Sequence, residues 1–146
     1  MFNIHKNSKK QGDHGLGSAI NWCCENGYTV SLPLTDSQDY DMIVDIENVL
    51  LRVQVKTSSF KTKYGIYNVS LSVKGGNRSS IGTVKNLDIR FVDALFILTD
   101  NGDRYFIPVS ELKGFSNINL GKNYQKNKIL GPVAQLAEAS VSNSEC

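Results

Sequence analysis

The sequence predicts an α/β domain in which helices flank a β-sheet. Three observations support this fold class: an amphipathic pattern over residues 13–26, two β-branched runs joined by a short turn, and a near-continuous apolar run from Asp93 to Thr99. The first pattern has the period of a helix, whereas the other two have the composition of strands. With 146 residues, the chain is long enough for one domain with a continuous core around a sheet.

The predicted helix over residues 13–26 is amphipathic. Its apolar face is formed by Leu16, Ala19, Ile20 and Cys23. We expect Asp13 to cap its N-terminus and Asn26-Gly27 to end it, because these residue types favour those positions. Gly15 and Gly17 make its first turn weak. On this face, Cys23 is expected to pack in the core.

A β-hairpin is predicted after the helix. Thr29 to Leu32 should be a first strand, and residues 40–46 and 49–57 are rich in β-branched residues. The short turn Glu47-Asn48 joins the last two runs. They should therefore pair with each other as a hairpin.

Three polar residues on this hairpin predict a catalytic site. Gln54 and Lys56 follow Asp41 by thirteen and fifteen residues. Since strand side chains alternate between faces, Gln54 and Lys56 point the same way, and pairing can bring Asp41 beside them. Carboxylate and amide oxygens are ligands for a hard cation such as Mg²⁺, and a lysine can position or deprotonate a water. The combination suits hydrolysis of nucleic acid, although an ordinary solvated strand face has the same composition.

The segments after the hairpin predict further strands. Tyr64 to Val73 alternates apolar and polar residues and should be a strand with one polar face. Residues 74–80 form a Gly/Ser-rich loop, which is either a plain solvent loop or a place of close approach to phosphate. Asp93 to Thr99 should be a strand buried on both faces, and it should form a second hairpin with Arg104 to Pro108 through the turn 100–103.

The C-terminal third has a different composition. Ser110 to Lys113 is expected to be a short helix. Residues 114–128 are rich in Asn and Lys with interleaved apolar residues, which predicts an irregular basic arm over DNA or a mobile segment. We divide the chain into a domain over residues 1–128 and a tail over residues 129–146. The tail resembles a reading frame that continues into a transfer-RNA gene, and the alternative is a plain helix over residues 133–139.

The charges are unevenly distributed although the net charge is only +2. Five acidic residues lie between positions 36 and 47, whereas residues 48–87 contain none and carry seven basic residues. Such a run is commonly a solvated face, but beside a phosphodiester-cutting site it also fits a track for the DNA backbone. The candidate DNA-binding residues are Lys61, Lys63, Lys74, Arg78, Ser79 and Lys85. We expect the lysines to contact phosphates and Arg78 to contact a base edge or a groove.

Cysteines, histidines and hydropathy argue against other classes of protein. Cys23 and Cys24 are adjacent and Cys146 is the last residue, so neither a disulfide framework nor a Cys-x-x-Cys metal site is expected. His5 and His14 lie in no zinc-binding pattern. The apolar runs are far shorter than the ~20 residues of a membrane span, and no apolar leader is present. We therefore expect an intracellular, cytoplasmic protein with no membrane partner.

The stretch from Gly27 to Asp41, Gly-Tyr-Thr-Val-Ser-Leu-Pro-Leu-Thr-Asp-Ser-Gln-Asp-Tyr-Asp, resembles the approach to the active site in the PD-(D/E)XK nuclease superfamily. Within that superfamily, residues 12–108 are similar to the small single-domain homing endonucleases encoded in group I introns. The resemblance implies a mixed β-sheet core flanked by helices, as in restriction endonucleases. It also implies that Asp41 is the metal-binding aspartate, Gln54 the second ligand and Lys56 the lysine of the motif.

Two positions depart from the family pattern. The second ligand is Gln54 rather than a carboxylate, so the site has one negative charge fewer and should hold its cation less tightly. Leu16 stands where many relatives place a glutamate in the first helix. The accessory carboxylate is then missing, or is supplied by Asp13, Asp39 or a neighbouring subunit.

The expected function is a metal-dependent DNA endonuclease, specifically a site-specific homing enzyme that uses Mg²⁺, with Mn²⁺ as the alternative ion. Asp41, Gln54 and Lys56 would be catalytic, and Asp41 and Gln54 would bind the metal. One such domain has one active site, so cutting both strands of double-stranded DNA implies a homodimer or homotetramer. The alternatives are a structure-selective nuclease such as a Holliday-junction resolvase and a non-catalytic DNA-binding protein on a decayed nuclease core.

Overall fold

The computed structural model describes residues 1–4, 7–74 and 84–131, and these ranges contain one long helix and ten strands. The helix, α1, extends over Ser8–Glu25. The strands are β1 (Thr29–Ser31), β2 (Met42–Ile46), β3 (Val49–Ser58), β4 (Asn68–Ser70), β5 (Val73–Lys74), β6 (Val84–Lys85), β7 (Ala94–Thr99), β8 (Arg104–Pro108), β9 (Asn117–Asn119) and β10 (Lys128–Ile129). Three short 3₁₀ helices cover Phe2–Ile4, Val109–Glu111 and Lys122–Asn127.

Six of the strands form one mixed sheet in the order β1-β2-β3-β7-β8-β10. β3 and β7 are parallel, with Val53 opposite Ala94 and Ser58 opposite Thr99, and the other neighbours are antiparallel. Both predicted hairpins, β2 with β3 and β7 with β8, are present. The predicted α/β fold with a mixed sheet is therefore confirmed.

β7 is buried along its whole length and contributes to two apolar cores. Leu95 and Ile97 face one core, and Phe96 and Leu98 face the other, as strand alternation requires. The helix α1 packs against the core that contains Phe96, whereas β4 and β9 belong to the other. The prediction of a strand buried on both faces is confirmed.

The helix begins five residues before the predicted start at residue 13 and is capped by Asn7 rather than Asp13. The Asn7 side chain accepts a hydrogen bond of 2.8 Å from a backbone N–H of the first turn. Gly15 therefore lies inside the helix instead of in its first turn. Its missing side chain lets α1 approach β3, because a Cβ at this position would be 2.6 Å from Cγ2 of Thr57.

The apolar face of α1 lies against the sheet as predicted. Ala19 and Cys23 are fully buried, and Leu16 and Ile20 are partly buried against the same core. Burial raises the pKa of the Cys23 thiol to about 11, with a smaller contribution from the neighbouring Cys24. Cys23 is thus a core residue, as expected, and its thiolate is disfavoured.

The single strand predicted from Tyr64 to Val73 is wrong. The segment contains a turn at Gly65, whose φ of +75° favours glycine, and then two short strands, β4 and β5. β4 pairs with β9 and β5 pairs with β6, so the run is divided between two small sheets. The alternation itself is correct, because Tyr67, Val69 and Leu71 are buried. Periodicity identifies the inward side chains but not the strands with which they pair.

Residues 114–128 are a packed part of the domain, so the predicted irregular arm or mobile segment is wrong. They contain β9 and a 3₁₀ helix. Ile118, Leu120 and Tyr124 are buried in the core beside β4, and the Tyr124 hydroxyl accepts a 2.8 Å hydrogen bond from the backbone of Lys113. The interleaved apolar residues therefore serve the core. The short helix expected at 110–113 is the 3₁₀ helix Val109–Glu111.

Several sequence-based predictions fall outside the described residues. These positions are His5, residues 75–80 of the predicted Gly/Ser-rich loop with Arg78 and Ser79, and the tail from residue 132 to Cys146. The division of the chain at residue 128 stays a prediction, and β10 spans this boundary. No helix in the described part of the chain has the length and hydropathy needed to cross a membrane.

Candidate active site

The turn between β2 and β3 sets the register that brings the predicted site residues together. Glu47 and Asn48 have φ values of 51° and 68°, and two central residues with positive φ are what a type I′ hairpin turn requires. The pairing extends along β2 and ends with Met42 opposite Val53. Asp41 directly precedes β2 and therefore lies beside the part of β3 that carries the other two residues.

The backbone of β3 holds the Asp41 carboxylate. The Asp41 N–H donates to the Val53 carbonyl at 2.9 Å, and Asp41 Oδ2 accepts the Val55 N–H at 2.7 Å. Because β2 begins at Met42, it does not reach Val55, and the carboxylate takes the place of a strand partner. Asp41 is exposed as a residue, yet the protein around its carboxylate desolvates it and raises its pKa, against the opposing effects of the Val55 N–H and Lys56.

Gln54, which precedes Val55 in β3, has an unpaired side-chain oxygen. The residue is only 5% exposed, and its Oε1 accepts no hydrogen bond within the described residues. A buried acceptor without a partner costs about 1–3 kcal/mol and therefore needs an explanation. A bound cation would provide one, because it would satisfy this oxygen and the Asp41 carboxylate together.

Lys56 lies on the same face of β3 as Gln54. Its Nζ donates a 3.1 Å hydrogen bond to the Ser72 carbonyl, just before β5. Partial burial lowers the pKa of Lys56, and the nearby Asp41 opposes that shift. The two side chains attract each other but form no direct ion pair in the described ranges. The ammonium keeps two further donors for a ligand.

Sequence reasoning missed Ser72 as a site residue. Its backbone carbonyl, rather than its side chain, holds Lys56. The polar face of the 64–73 run included Ser72, so the alternation did indicate a polar surface near this point. Nothing in the sequence indicated that this segment would contact Lys56 of β3.

The ion pair between Arg52 and Asp93 was also missed, and it stabilises the start of β7 next to the site. Arg52 Nε donates to Asp93 Oδ2 at 3.0 Å and one terminal nitrogen donates to Oδ1 at 3.0 Å. The Arg52 backbone N–H adds a 2.8 Å hydrogen bond to the same carboxylate. These hydrogen bonds hold the pKa of Asp93 below its usual value. Because Asp93 neutralises its charge, Arg52 contributes less to the positive charge of the surface than an unpaired arginine would.

A cavity of about 250 Å³ is lined by the residues that precede Asp41, but not by Asp41, Gln54 or Lys56. It lies beside Asp41 along the chain, because the preceding residues form one of its walls. Its lining consists of Ser37, Gln38, Asp39, Tyr40, Arg52, Lys85 and Phe91. Both an acidic and a basic side chain border this space, namely Asp39 and Lys85.

The predicted DNA-binding residues are placed at different positions around the site. Lys61 and Lys63 are exposed on the segment that follows β3, and Lys85 is exposed in β6 at the cavity. Lys74 belongs to β5, which pairs with β6. For Arg78 and Ser79, which lie outside the described residues, the expected contacts stay predictions.

The accessory carboxylate of the family pattern has no obvious replacement within the described residues. Leu16 packs against the core, so this position supports the fold. Asp13 is exposed on α1, and Asp39 lines the cavity. In residues 1–4, 7–74 and 84–131, no three His, Cys, Asp or Glu side chains are grouped as metal ligands.

Comparison with protein families assigns the chain to one class of protein. The model of the family described as PD-(D/E)XK endonuclease matches residues 6–130. The chain therefore belongs to the PD-(D/E)XK endonuclease family, as its sequence motif indicated.

A solved structure gives independent support for the fold. The chain is similar to a bacterial homing endonuclease, I-Ssp6803I, with a TM-score of 0.60 and 24% sequence identity. The similarity covers 95% of this chain and 98% of that chain. The comparison with curated proteins found no match. The restriction-endonuclease-like core expected from the sequence is confirmed.

Proposed function

We propose that this protein is a metal-dependent DNA endonuclease that hydrolyses phosphodiester bonds and cuts at specific sites, as homing endonucleases do. The observation that carries the proposal is the buried, unpaired Oε1 of Gln54, which precedes Val55, the residue whose N–H holds the Asp41 carboxylate, and which shares a face of β3 with Lys56. The fold alone leaves this oxygen without a partner. A nuclease gains a place for a cation and for the scissile phosphate.

Asp41 and Gln54 fit a hard divalent cation. Both offer oxygen ligands, and the Val55 N–H orients the Asp41 carboxylate from behind so that Oδ1 is left for a ligand. Mg²⁺ is the expected ion and Mn²⁺ the alternative, and either would act as a Lewis acid that stabilises charge on the phosphate. With one carboxylate among the two named ligands, we expect weak binding of the ion.

Lys56 would hold the attacking water and the phosphate. One of its N–H groups is engaged by the Ser72 carbonyl, which fixes the direction of the side chain. The other two can donate to a non-bridging phosphate oxygen or to the water. Because desolvation lowers its pKa, Lys56 releases a proton more readily than an exposed lysine and can take part in proton transfer from the water.

The surface charge supports DNA as the substrate. Lys61, Lys63 and Lys85 are exposed around the site, and residues 48–87 contain no acidic side chain. Neutralised phosphates release counterions, so each such contact strengthens binding at low salt. Lys74, Arg78 and Ser79 belong to the same basic stretch and complete the proposed DNA surface.

Similarity to a homing endonuclease supports a site-specific enzyme. The similarity covers 95% of this chain and 98% of that chain, so the same kind of domain would serve both proteins. One domain has one active site, and cleavage of both strands therefore needs a homodimer or a homotetramer. Such an assembly would also lengthen the sequence that is read.

The test is digestion of a supercoiled plasmid that carries the uninterrupted host gene. We expect linear product from one site with Mg²⁺ or Mn²⁺ and none with EDTA, and Asp41→Asn serves as the inactive control. A matched plasmid with the intron inserted should stay uncut. Cleavage of a four-way junction in preference to both plasmids would instead identify a structure-selective nuclease. Tight binding of DNA without cleavage in any ion would identify a non-catalytic protein and refute the proposal.

A further inference from the structure

The segment that follows β3 presents two large aromatic side chains to solvent. It comprises residues 59–67 and is called here the aromatic hairpin. Phe60 is 67% exposed and Tyr64 is 76% exposed. Aromatic side chains exposed beside lysines offer flat surfaces on which bases can stack.

The backbone of the aromatic hairpin is held by hydrogen bonds. The Thr62 N–H donates to the Ile66 carbonyl at 2.8 Å, and the Gly65 N–H donates back to the Thr62 carbonyl at 3.0 Å. Lys61 and Tyr67 pair across its base. The turn is therefore preorganised, and presenting Phe60 and Tyr64 needs no further ordering of the backbone.

The inner side of the aromatic hairpin is anchored in the domain. Tyr67 is buried in the core, and its carbonyl accepts a 2.8 Å hydrogen bond from the Leu120 N–H. Ile66 lies next to Gly121. The Phe60 carbonyl accepts the Asn68 N–H at 2.9 Å. Since the inward residues fix the base, the outward aromatic side chains are not needed to hold the turn in place.

The charge of the aromatic hairpin selects a polyanion as partner. Lys63 Nζ lies 5.1 Å from the centroid of the Tyr64 ring, and Lys61 Nζ lies 4.9 Å from that of Tyr67. Both lysines are exposed, and neither forms an ion pair within the described residues. Asp100 interacts electrostatically with Lys61, but its own ion pair is with the N-terminal ammonium group. A symmetric contact with a second copy of the chain would bring like charges together.

We propose that the aromatic hairpin inserts Phe60 and Tyr64 against the base pairs of duplex DNA beside the cleavage site, while Lys61 and Lys63 hold the adjacent phosphates. The inference rests on the proposed function, because it places the hairpin next to DNA held at Lys56. Phe60 lies four residues beyond Lys56, which is at most roughly 13 Å at the rise of an extended chain. That upper limit corresponds to about four base-pair steps.

Insertion of apolar side chains has a recognisable physical effect. An aromatic side chain inserted between base pairs partly unstacks them, kinks the duplex and unwinds it. The kink brings phosphates closer together, and the flanking lysines would neutralise part of their negative charge. The bend would widen the groove in front of the active site. In this arrangement Phe60 and Tyr64 are DNA-positioning residues.

The first test compares binding of a labelled 30-base-pair duplex of mixed sequence in EDTA. Phe60→Ala and Tyr64→Ala should each weaken binding about tenfold without changing the salt dependence, because stacking releases no counterion. Lys63→Ala should lower the slope of log affinity against log salt by about one unit. Leu50→Ala is the matched control, since Leu50 is also 67% exposed but lies near the other end of β3. It should bind within twofold of the wild type.

The second test measures DNA unwinding directly. A closed-circular plasmid is relaxed in EDTA by a topoisomerase that needs no divalent cation, in the presence of saturating protein. The wild type and Leu50→Ala should leave topoisomers with a reduced linking number, and the Phe60→Ala,Tyr64→Ala double variant should not. Equal melting temperatures would show that the variants are folded.

The outcomes separate this proposal from the proposed function. Wild-type protein that binds and cuts DNA without changing the linking number overturns the hairpin proposal alone. A wild type that binds no DNA overturns both. Dissociation of an oligomer by Phe60→Ala or Tyr64→Ala, with DNA affinity per protomer unchanged, would assign the surface to protein assembly and would also overturn the proposal.

Discussion

Asp41 Oδ2 accepts a 2.7 Å hydrogen bond from the backbone N–H of Val55, although the two residues are fourteen positions apart. The contact joins a residue just before β2 to the part of β3 that extends beyond β2. The Val55 N–H, which has no partner in β2, donates to the carboxylate and so orients a candidate metal ligand. The direction of the carboxylate is therefore set by strand register.

Lys56→Ala should abolish cleavage and leave DNA affinity within about tenfold of the wild type, because one lysine among many supplies only part of the counterion release. Cleavage and binding of the same duplex should be measured in parallel. Lys9→Ala, which removes the same charge from the exposed start of α1, is the control and should cut normally. Reduced binding with an unchanged rate per bound complex would contradict the catalytic role of Lys56.

Asp41→Asn should lose metal-dependent cleavage. The asparagine can still accept the Val55 N–H, so the register should be kept while the charge that holds the cation is lost. Plasmid digestion over a range of Mg²⁺ and Mn²⁺ concentrations provides the measurement. If the variant cuts at the wild-type rate at low Mg²⁺, Asp41 does not bind the metal.

The stability of the same variant should depend on pH in metal-free buffer. The folded protein raises the pKa of Asp41 above its usual value of 3.8, so this carboxyl favours folding while it is protonated. That contribution is complete below the unfolded pKa and is lost as pH rises through the folded pKa. Asp41→Asn, which stays neutral, should therefore melt like the wild type at pH 3 and at a higher temperature at pH 7. Equal melting temperatures at both pH values would show that the carboxylate is not desolvated.

Gln54→Leu should stabilise the metal-free protein by about 1 kcal/mol, because it removes a buried acceptor without a partner while keeping the volume similar. Added Mg²⁺ should raise the melting temperature of the wild type by linkage and leave that of the variant unchanged. Asn123→Leu replaces an exposed amide side chain and should show neither effect. Lower stability of Gln54→Leu without metal would mean that the amide supports the fold.

Gly15→Ala should destabilise the fold by about 1–3 kcal/mol even though alanine favours helices. Its Cβ would be 2.6 Å from Thr57 Cγ2 and 3.2 Å from Val55 Cγ1, and both partners are β-branched side chains of β3. Gly17→Ala in the same helix meets no atom within 4 Å and should stabilise by about 0.5–1 kcal/mol. Chemical denaturation of the pair gives the comparison. Equal effects would mean that α1 and β3 are not in close contact.

Local patterns predicted the elements that local chemistry controls. The β2–β3 hairpin followed from two β-branched runs and a two-residue turn, and the buried β7 followed from an uninterrupted apolar run. Because strand side chains alternate, the shared face of Gln54 and Lys56 also followed from their spacing. The predicted start of α1 was wrong because Asp13 was taken as its N-cap, whereas Asn7 caps the helix and Ser8 begins it.

The segments with nonlocal partners were the ones predicted incorrectly. The 64–73 run is divided because β4 pairs with β9 and β5 pairs with β6, and residues 114–128 are packed because they provide one of those partners. A periodic pattern states which side chains turn inward. It contains no information about the distant strand that meets them.

The sequence by itself determined the hairpin, its register and the set of Asp41, Gln54 and Lys56, since turn type and alternation are local properties of the chain. Only the tertiary structure decided how these groups behave. It left Gln54 Oε1 without a hydrogen-bond partner and brought the Ser72 carbonyl within hydrogen-bond distance of Lys56 Nζ. Through desolvation, it also lowered the pKa of Lys56 and raised that of Asp41. Burial and long-range contacts depend on which segments pack against each other. These contacts form only when the whole domain folds, so a local sequence pattern does not specify them.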